Sequence, residues 1–426
     1  MDYNEFKRES ERQFAEQPQE GRDMYKRNFI KIPEEYFTLN GKSKSGQHAD
    51  MVIKALKDNF GIYFDVIIDG KDILSTSRFA KIVDMADADS GLLKILLEKY
   101  PNNKFAALIN SKSQKAVVIT VKKGESAKIN ALVLNGEDPV YVQFVVNVED
   151  EGNIEFFQFF CSGVKEKSAT GIINIADIGR NANANFIAVH NEGSETAVMN
   201  LHHTEIGECS RLSQHFVFTG GSHVKSMGKV KLRGQLSESE TNEIVEAVLD
   251  QKMDVNTEIV NASKGSAGIL ESKAVLSDNS VCMLKGFATI EEGATGSRSL
   301  VKESSLLMDN TARIESIPGM AIREDDVKAT HSASTAPIDE ENLFYLLSRG
   351  VDRNSAMKLM VDGFIGGSVL KIGDDEARGL AASIIYEKLK NKSIGLTPEN
   401  KADTVYEVVR ADEKAEDMLR EHYKYR

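Results

Sequence analysis

Met253–Gly265 (MDVNTEIVNASKG), Ala267–Asn279 (AGILESKAVLSDN) and Ser280–Gly293 (SVCMLKGFATIEEG) follow one another with almost nothing between them. Each is a short run rich in Val, Ile, Leu and Thr, close to strict apolar–polar alternation and closed by Gly or Asn. That pattern predicts strands joined by tight turns. The same rhythm runs upstream through Lys115–Gly124 (KAVVITVKKG), Lys128–Gly136 (KINALVLNG), Val140–Gly152 (VYVQFVVNVEDEG), Asn153–Gly163 (NIEFFQFFCSG) and Ala182–Gly193 (ANANFIAVHNEG). Downstream it reaches Ser305–Ile317 (SLLMDNTARIESI), and its first beat is Ala107–Asn110 (ALIN). Pro139 and Pro318 are the prolines of this stretch. Even spacing of short strands fits a sandwich, a barrel or a parallel β-helix. The length of the run favours the solenoid, in which each coil buries its inward side chains against the next without a strict motif.

Different patterns flank the β-rich core of residues 105–336. In residues 1–104, Glu5–Lys26 reads as helix, Ile30–Phe37 as an extended arm around Pro33, and Gly41–Gln47 as a linker. Asp50–Gly61 reads as a helix stopped by glycine, Ile62–Gly70 as a strand ending in a turn, and Ser90–Tyr100 as an amphipathic helix. The expectation is a small α/β cap. Residues 337–426 read as a helical domain. Asp339 with the acids after it caps one helix, Arg349 lies in its last turn, and Gly350 supplies the left-handed stop. A second, short helix with Ala356, Leu359 and Met360 on one face ends before Gly363-Phe364. From Asp374, Ala377, Leu380, Ala381, Ile384, Ile385 and Leu389 fall on one face of a third helix, stopped by Gly395. Thr397-Pro398-Glu399 then opens a charged last helix, Val405 to Tyr423.

Composition narrows the function classes. The chain has 426 residues, 41% hydrophobic and 28% charged, with a formal net charge of -12. These values fit a folded protein and argue against nucleic acid or an anionic membrane as the main partner. The N-terminus, MDYNEFKRESERQF, carries no apolar signal segment, and no run approaches a membrane span. A cytoplasmic location is expected. Cys161, Cys209 and Cys282 form no C-x-x-C pair, which argues against a disulfide framework or an all-cysteine metal site. His202-His203 looks like a metal pair, but adjacent strand residues point to opposite faces. No G-x-x-x-x-G-K-[ST] loop is present, so nucleotide hydrolysis would need a partner, and the chain is read as a non-enzyme.

The segments Asp325–Ser334 (DDVKATHSAS), Ile338–Val351 (IDEENLFYLLSRGV) and Ala356–Ile365 (AMKLMVDGFI) together resemble the C-terminal signature of the SufB/SufD family. These are scaffold proteins of the SUF iron–sulfur cluster assembly system. The resemblance spans roughly residues 110–370 and is sharpest over 280–366, where His331, Phe344-Tyr345, Ser348-Arg349-Gly350 and Gly363-Phe364 match together. It implies a right-handed parallel β-helix between helical ends, paired with a second copy or with a SufB/SufD-type partner. It also implies docking of a SufC-like ABC-type ATPase on a surface carrying Phe344, Tyr345, Arg349, Gly350 and Phe364, and supply by iron and sulfur donors.

Alignment of Glu303–Asn310 (ESSLLMDN) with the family's ligand strand puts Glu303 where the cluster-bearing member has cysteine. With His331 it forms the implied metal pair near a two-fold interface. Imidazole and carboxylate suit iron, and a transient cluster held without a full set of thiolates is labile. Cys209, beside a polar turn, is the cysteine least suited to a core and the candidate sulfur acceptor. The chain departs from the cluster-bearing pattern at Ser332, where that member has glutamate, and lacks the amino-terminal cysteine cluster of some members. A SufD-like accessory subunit is therefore the alternative. The coils alone also fit an enzyme acting on acidic polysaccharide, against which stand the absent tryptophan and the C-terminal signature.

Overall fold

The computed structural model describes residues 1–19, 29–39, 49–70, 72–136, 138–162 and 167–391. Between Lys115 and Pro337 the chain passes alternately between two sheets, and almost every pairing is parallel. One sheet stacks Ser126–Asn135, Asn153–Ser162, Asn183–Asn191, Arg211–Phe218, Glu238–Ala247, Ala267–Leu276, Arg298–Leu307 and Lys328–Pro337 in that order. The other stacks Lys115–Val121, Val140–Val148, Ser168–Ile178, Thr196–Ile206, His223–Leu232, Lys252–Asn261 and Val281–Ile290, and finishes with Arg313–Ser316 and Gly319–Ile322. This is the expected parallel β-helix. Its inward residues, among them Ile129, Phe144, Phe160, Val198, Phe218, Leu270 and Val301, form one continuous apolar core. Each large side chain so buried contributes about 1.5–3 kcal/mol.

The coils keep register at their turns as well as along their strands. Glu151, Asn181, Cys209 and Leu236 all adopt positive φ, between 51° and 63°. The amide of each donates to a carbonyl on the next coil: Glu151 to Arg180, Asn181 to Glu208, Cys209 to Gln235 and Leu236 to Lys264, at 2.7–3.0 Å. A repeated left-handed turn thus replaces the glycine a single such turn would favour.

The two ends of the solenoid differ. At the N-terminal end, Val66–Asp69 adds to Ser126–Asn135 and pairs antiparallel with Asp72–Ser75, while Ala80–Asp84 lies antiparallel on Lys115–Val121. Those additions close the first coil. At the other end Lys328–Pro337 is the edge of its sheet, and Ala329 is the one residue of the strand that is even half-buried.

The helical domain packs along the outside of the first sheet. Val361, Ile365, Val369, Ile372, Ala377, Leu380, Ala381, Ile384 and Ile385 cover Leu132, Phe157, Phe159, Ile187, Val217 and Ile244. The predicted Asp339 cap is present, its side chain accepting from the Glu341 and Asn342 amides, and Gly350 sits at φ 84°.

Several local expectations need correction. Ala107–Asn110 is not strand but lies within the helix Lys104–Lys112, so the first coil begins at Lys115. The first helix ends at Glu16, and the arm after Pro33 closes in a 3-10 turn, Glu34–Phe37. The second C-terminal helix is not short: it continues through Gly363, Gly366 and Gly367 to Leu370. The linker Gly41–Gln47, the Gly395 stop and the last helix lie outside the described residues.

Candidate functional site

The open end of the solenoid carries the two residues the sequence singled out. In the last pairing of the sheet, Val301 lies opposite His331 and Glu303 opposite Ala333. Side chains two apart on a strand share a face, so His331 and Glu303 point the same way from adjacent strands. Diagonal neighbours of this kind have Cα atoms roughly 7–8 Å apart. The parallel register therefore brings the pair together.

Their surroundings differ. His331 is exposed on the edge strand, whereas Glu303 is fully buried. Glu303 Oε1 accepts a 2.6 Å hydrogen bond from the Gly286 amide on the opposite sheet, and Oε2 carries no hydrogen bond. Burial pushes this carboxyl up to about 8, and the Glu243 charge adds to the rise. The amides of Gly286 and Ile317 and the Ser316 hydroxyl favour the ionised form less strongly. Deeper in the same ladder, Glu243 accepts from the Thr257 and Ser272 hydroxyls, each at 2.6 Å. Among the described residues, no group of three or more His, Cys, Asp or Glu side chains is placed to hold a metal ion. Glu303 and His331 together present one carboxyl and one imidazole.

The remaining candidates are dispersed. Cys161 and Cys282 are buried, and burial raises both thiols; Cys209 is exposed on the turn ladder. His202 faces inward, stacked on Phe216 with centroids 4.3 Å apart, and burial lowers it to about 3. His203 faces outward against Tyr100, so the two histidines cannot share one ion. Phe344 and Tyr345 are 71% and 55% exposed, with Arg349 over the Tyr345 ring at 5.1 Å. Gly350, at the end of that helix, is exposed as well. Phe364 is turned the other way, against the cluster between the helical domain and the outer face of the solenoid, with Lys273 over its ring at 5.4 Å. Sequence reasoning missed Gly286 and Glu243. A glycine in mid-strand was the available signal, since it often marks a close approach by another group.

The family description "SUF system FeS cluster assembly, SufBD core domain" matches residues 132–364, more than half of the chain. The chain belongs to the SufBD family. Iron–sulfur cluster assembly protein SufD of Bacillus subtilis is 26% identical over 258 residues, 60% of this chain and 59% of that protein. A SufBD family protein of Mycobacterium bovis is 33% identical over 136 residues, 32% of this chain and 16% of that protein. One from Pyrococcus horikoshii is 32% identical over 126 residues, 30% and 28% of the two chains. The matches therefore span less than two thirds of these relatives. The parallel solenoid is common to both readings, and it is SufBD membership that favours the scaffold over the polysaccharide-acting alternative.

Proposed function

We propose that this SufBD chain is a scaffold subunit for iron–sulfur cluster assembly and that its open coil is where a second scaffold chain docks. The observation that carries this reading is the asymmetry of the solenoid. The first coil is closed by the chain's own strands. The last ends in a bare edge of small residues, Lys328–Pro337, with His331 on it and Glu303 beside it. Terminal coils require a cap, and an exposed edge strand is a template for pairing with another chain. Pairing there would bring a second set of donors to an incomplete pair. The nascent cluster, as cargo, would sit between imidazole and carboxylate groups, donors that suit iron and release it readily.

Charge bears on the identity of the second chain. Glu324, Asp325 and Asp326 precede the edge strand, and Asp339, Glu340 and Glu341 follow it. Antiparallel pairing of two identical copies sets these acidic flanks beside each other, which like charges oppose. A related strand with basic flanks fits better. A SufD-like role in a heteromeric pair is therefore the favoured form, with the homodimer as its rival. An ABC-type ATPase partner would dock on the exposed Phe344, Tyr345 and Arg349, and sulfur would be accepted at Cys209.

The test is anaerobic reconstitution with iron and sulfide, with and without the ATPase, comparing wild type with His331→Ala and Glu303→Ala. A cluster formed by wild type and lost in both variants is the expected result. Absence of a cluster under every condition would reject a cluster-bearing role and leave an accessory subunit.

A further inference from the structure

We propose that Gly286 is the positioning residue for Glu303: its backbone amide fixes Oε1, leaving Oε2 as the oxygen offered to iron. This deepens the ligand reading of Glu303 and rests on it.

The first support is a contrast within one column of the interior. Glu243, Ser272 and Glu303 are successive register partners on adjacent coils. Glu243 has both oxygens engaged, one by Thr257 and one by Ser272. Glu303 has the same burial but one engaged oxygen, held by Gly286 at 2.6 Å, and one without a hydrogen bond; the Ile317 amide is spent on the Leu284 carbonyl, and the Ser316 hydroxyl acts on the carboxyl only from longer range. Leaving a buried carboxylate oxygen unbonded costs free energy, so such an atom calls for an explanation. A column that seals one glutamate completely and leaves the terminal one half-engaged, on the face it shares with His331, separates a structural acid from a ligand.

The second support is steric. A Cβ on Gly286 would come within 2.6 Å of Val301 Cγ1, 3.0 Å of Glu303 Oε1 and 3.0 Å of Leu270 Cδ2. Gly286 has no positive φ to explain the choice of glycine. What the position lacks is room. The missing side chain lets the backbone N–H reach the carboxylate across the narrow interior, as close backbone approach generally requires. A methyl group here would push Glu303 away from its anchor.

The experiment compares wild type, Glu303→Gln, Gly286→Ala and the double variant Gly286→Ala/Val301→Ala, each as the full chain. Two quantities are read: anaerobic binding of ferrous iron alone, and the infrared carboxyl band that Glu303→Gln removes. Gly286→Ala is expected to shift that band and to weaken iron binding by about tenfold or more, the usual effect of losing a ligand's supporting contact. Val301→Ala in the double variant frees the closest clash and should recover part of both. Far-ultraviolet circular dichroism should be unchanged throughout. A carboxyl band unmoved by Gly286→Ala would overturn the positioning role whether or not iron binds. Iron binding retained in Glu303→Gln would instead reject Glu303 as a ligand. Loss in Glu303→Gln with wild-type affinity in Gly286→Ala would keep the ligand and reject its anchor.

Discussion

Lys388 reaches from the Asp375–Asn391 helix into the strand ends of the solenoid, where its ammonium donates to the Thr219 carbonyl at 2.5 Å. It also donates to the Glu246 carbonyl one coil further on. Burial pulls this lysine down to about 8 and pushes the neighbouring Glu246 carboxyl up. Lys388→Ala would remove both bonds and leave the Thr219 carbonyl only its 3.2 Å bond from the Gln251 side-chain amide, so a loss of about 1–3 kcal/mol is expected. Denaturant unfolding monitored by circular dichroism measures it.

His202 is packed against a residue that has no side chain. A Cβ on Gly228 would stand 1.9 Å from His202 Nε2. Gly228→Ala should therefore cost about 1–3 kcal/mol, the usual range for overpacking. Adding His202→Ala should remove most of that cost, leaving the 2.8 Å approach to Thr257 Oγ1, and a double-mutant cycle reads the coupling.

Glu303 should give the fold a distinctive pH dependence. Its pKa is raised in the folded state from the ordinary carboxylate value to about 8, so the folded protein binds this proton more tightly than the unfolded chain. Its contribution is complete below about pH 4.5 and is lost as pH rises toward 8, by up to about 1.4 kcal/mol per pH unit. The stability of wild type relative to Glu303→Gln should fall across that window. Chemical unfolding of both proteins at several pH values provides the measurement.

Edge pairing should be removable without unfolding. Ser332 and Ser334 are exposed on the last strand, and lysines on an edge block strand addition. Ser332→Lys/Ser334→Lys is expected to leave thermal stability within about 0.5 kcal/mol. Light scattering of the chain mixed with a SufB/SufD-type partner should show a pair with wild type and no association with the variant.

The exposed aromatic pair offers a separate test. Phe344→Ala/Tyr345→Ala should weaken binding of an ABC-type ATPase by at least about tenfold, as loss of an aromatic anchor does. Stability should change little, because both side chains are largely in solvent. Titration calorimetry with the ATPase distinguishes the two effects.

Much of this architecture is legible in the sequence because a coil writes its own alternation into every strand. Ala107–Asn110 misleads because four residues are too few to separate a strand from a turn of buried helix. Gly363, Gly366 and Gly367 read as breakers. Yet Val361, Ile365 and Val369 recur at helical spacing and are buried on the solenoid, and Lys273 donates to the Phe364 carbonyl at 2.7 Å. Packing here overrides local propensity. His331 and Glu303 stood out by family pattern, and their shared face follows from register. Gly286 was hidden because its partner reaches it across the interior from the other sheet, a relation that strand periodicity does not record.

The Asp375–Asn391 helix also has a mechanical consequence. Its start is moored to the first coils, where Asp374 meets Lys128 at 2.5 Å, and its far end to Thr219 and Glu246 several rungs along. A bare stack of coils pulled along its axis would peel one rung at a time. A strut fastened at both places makes the spanned rungs share the load. Force applied at the open end should therefore detach the last few coils first and leave the braced section intact.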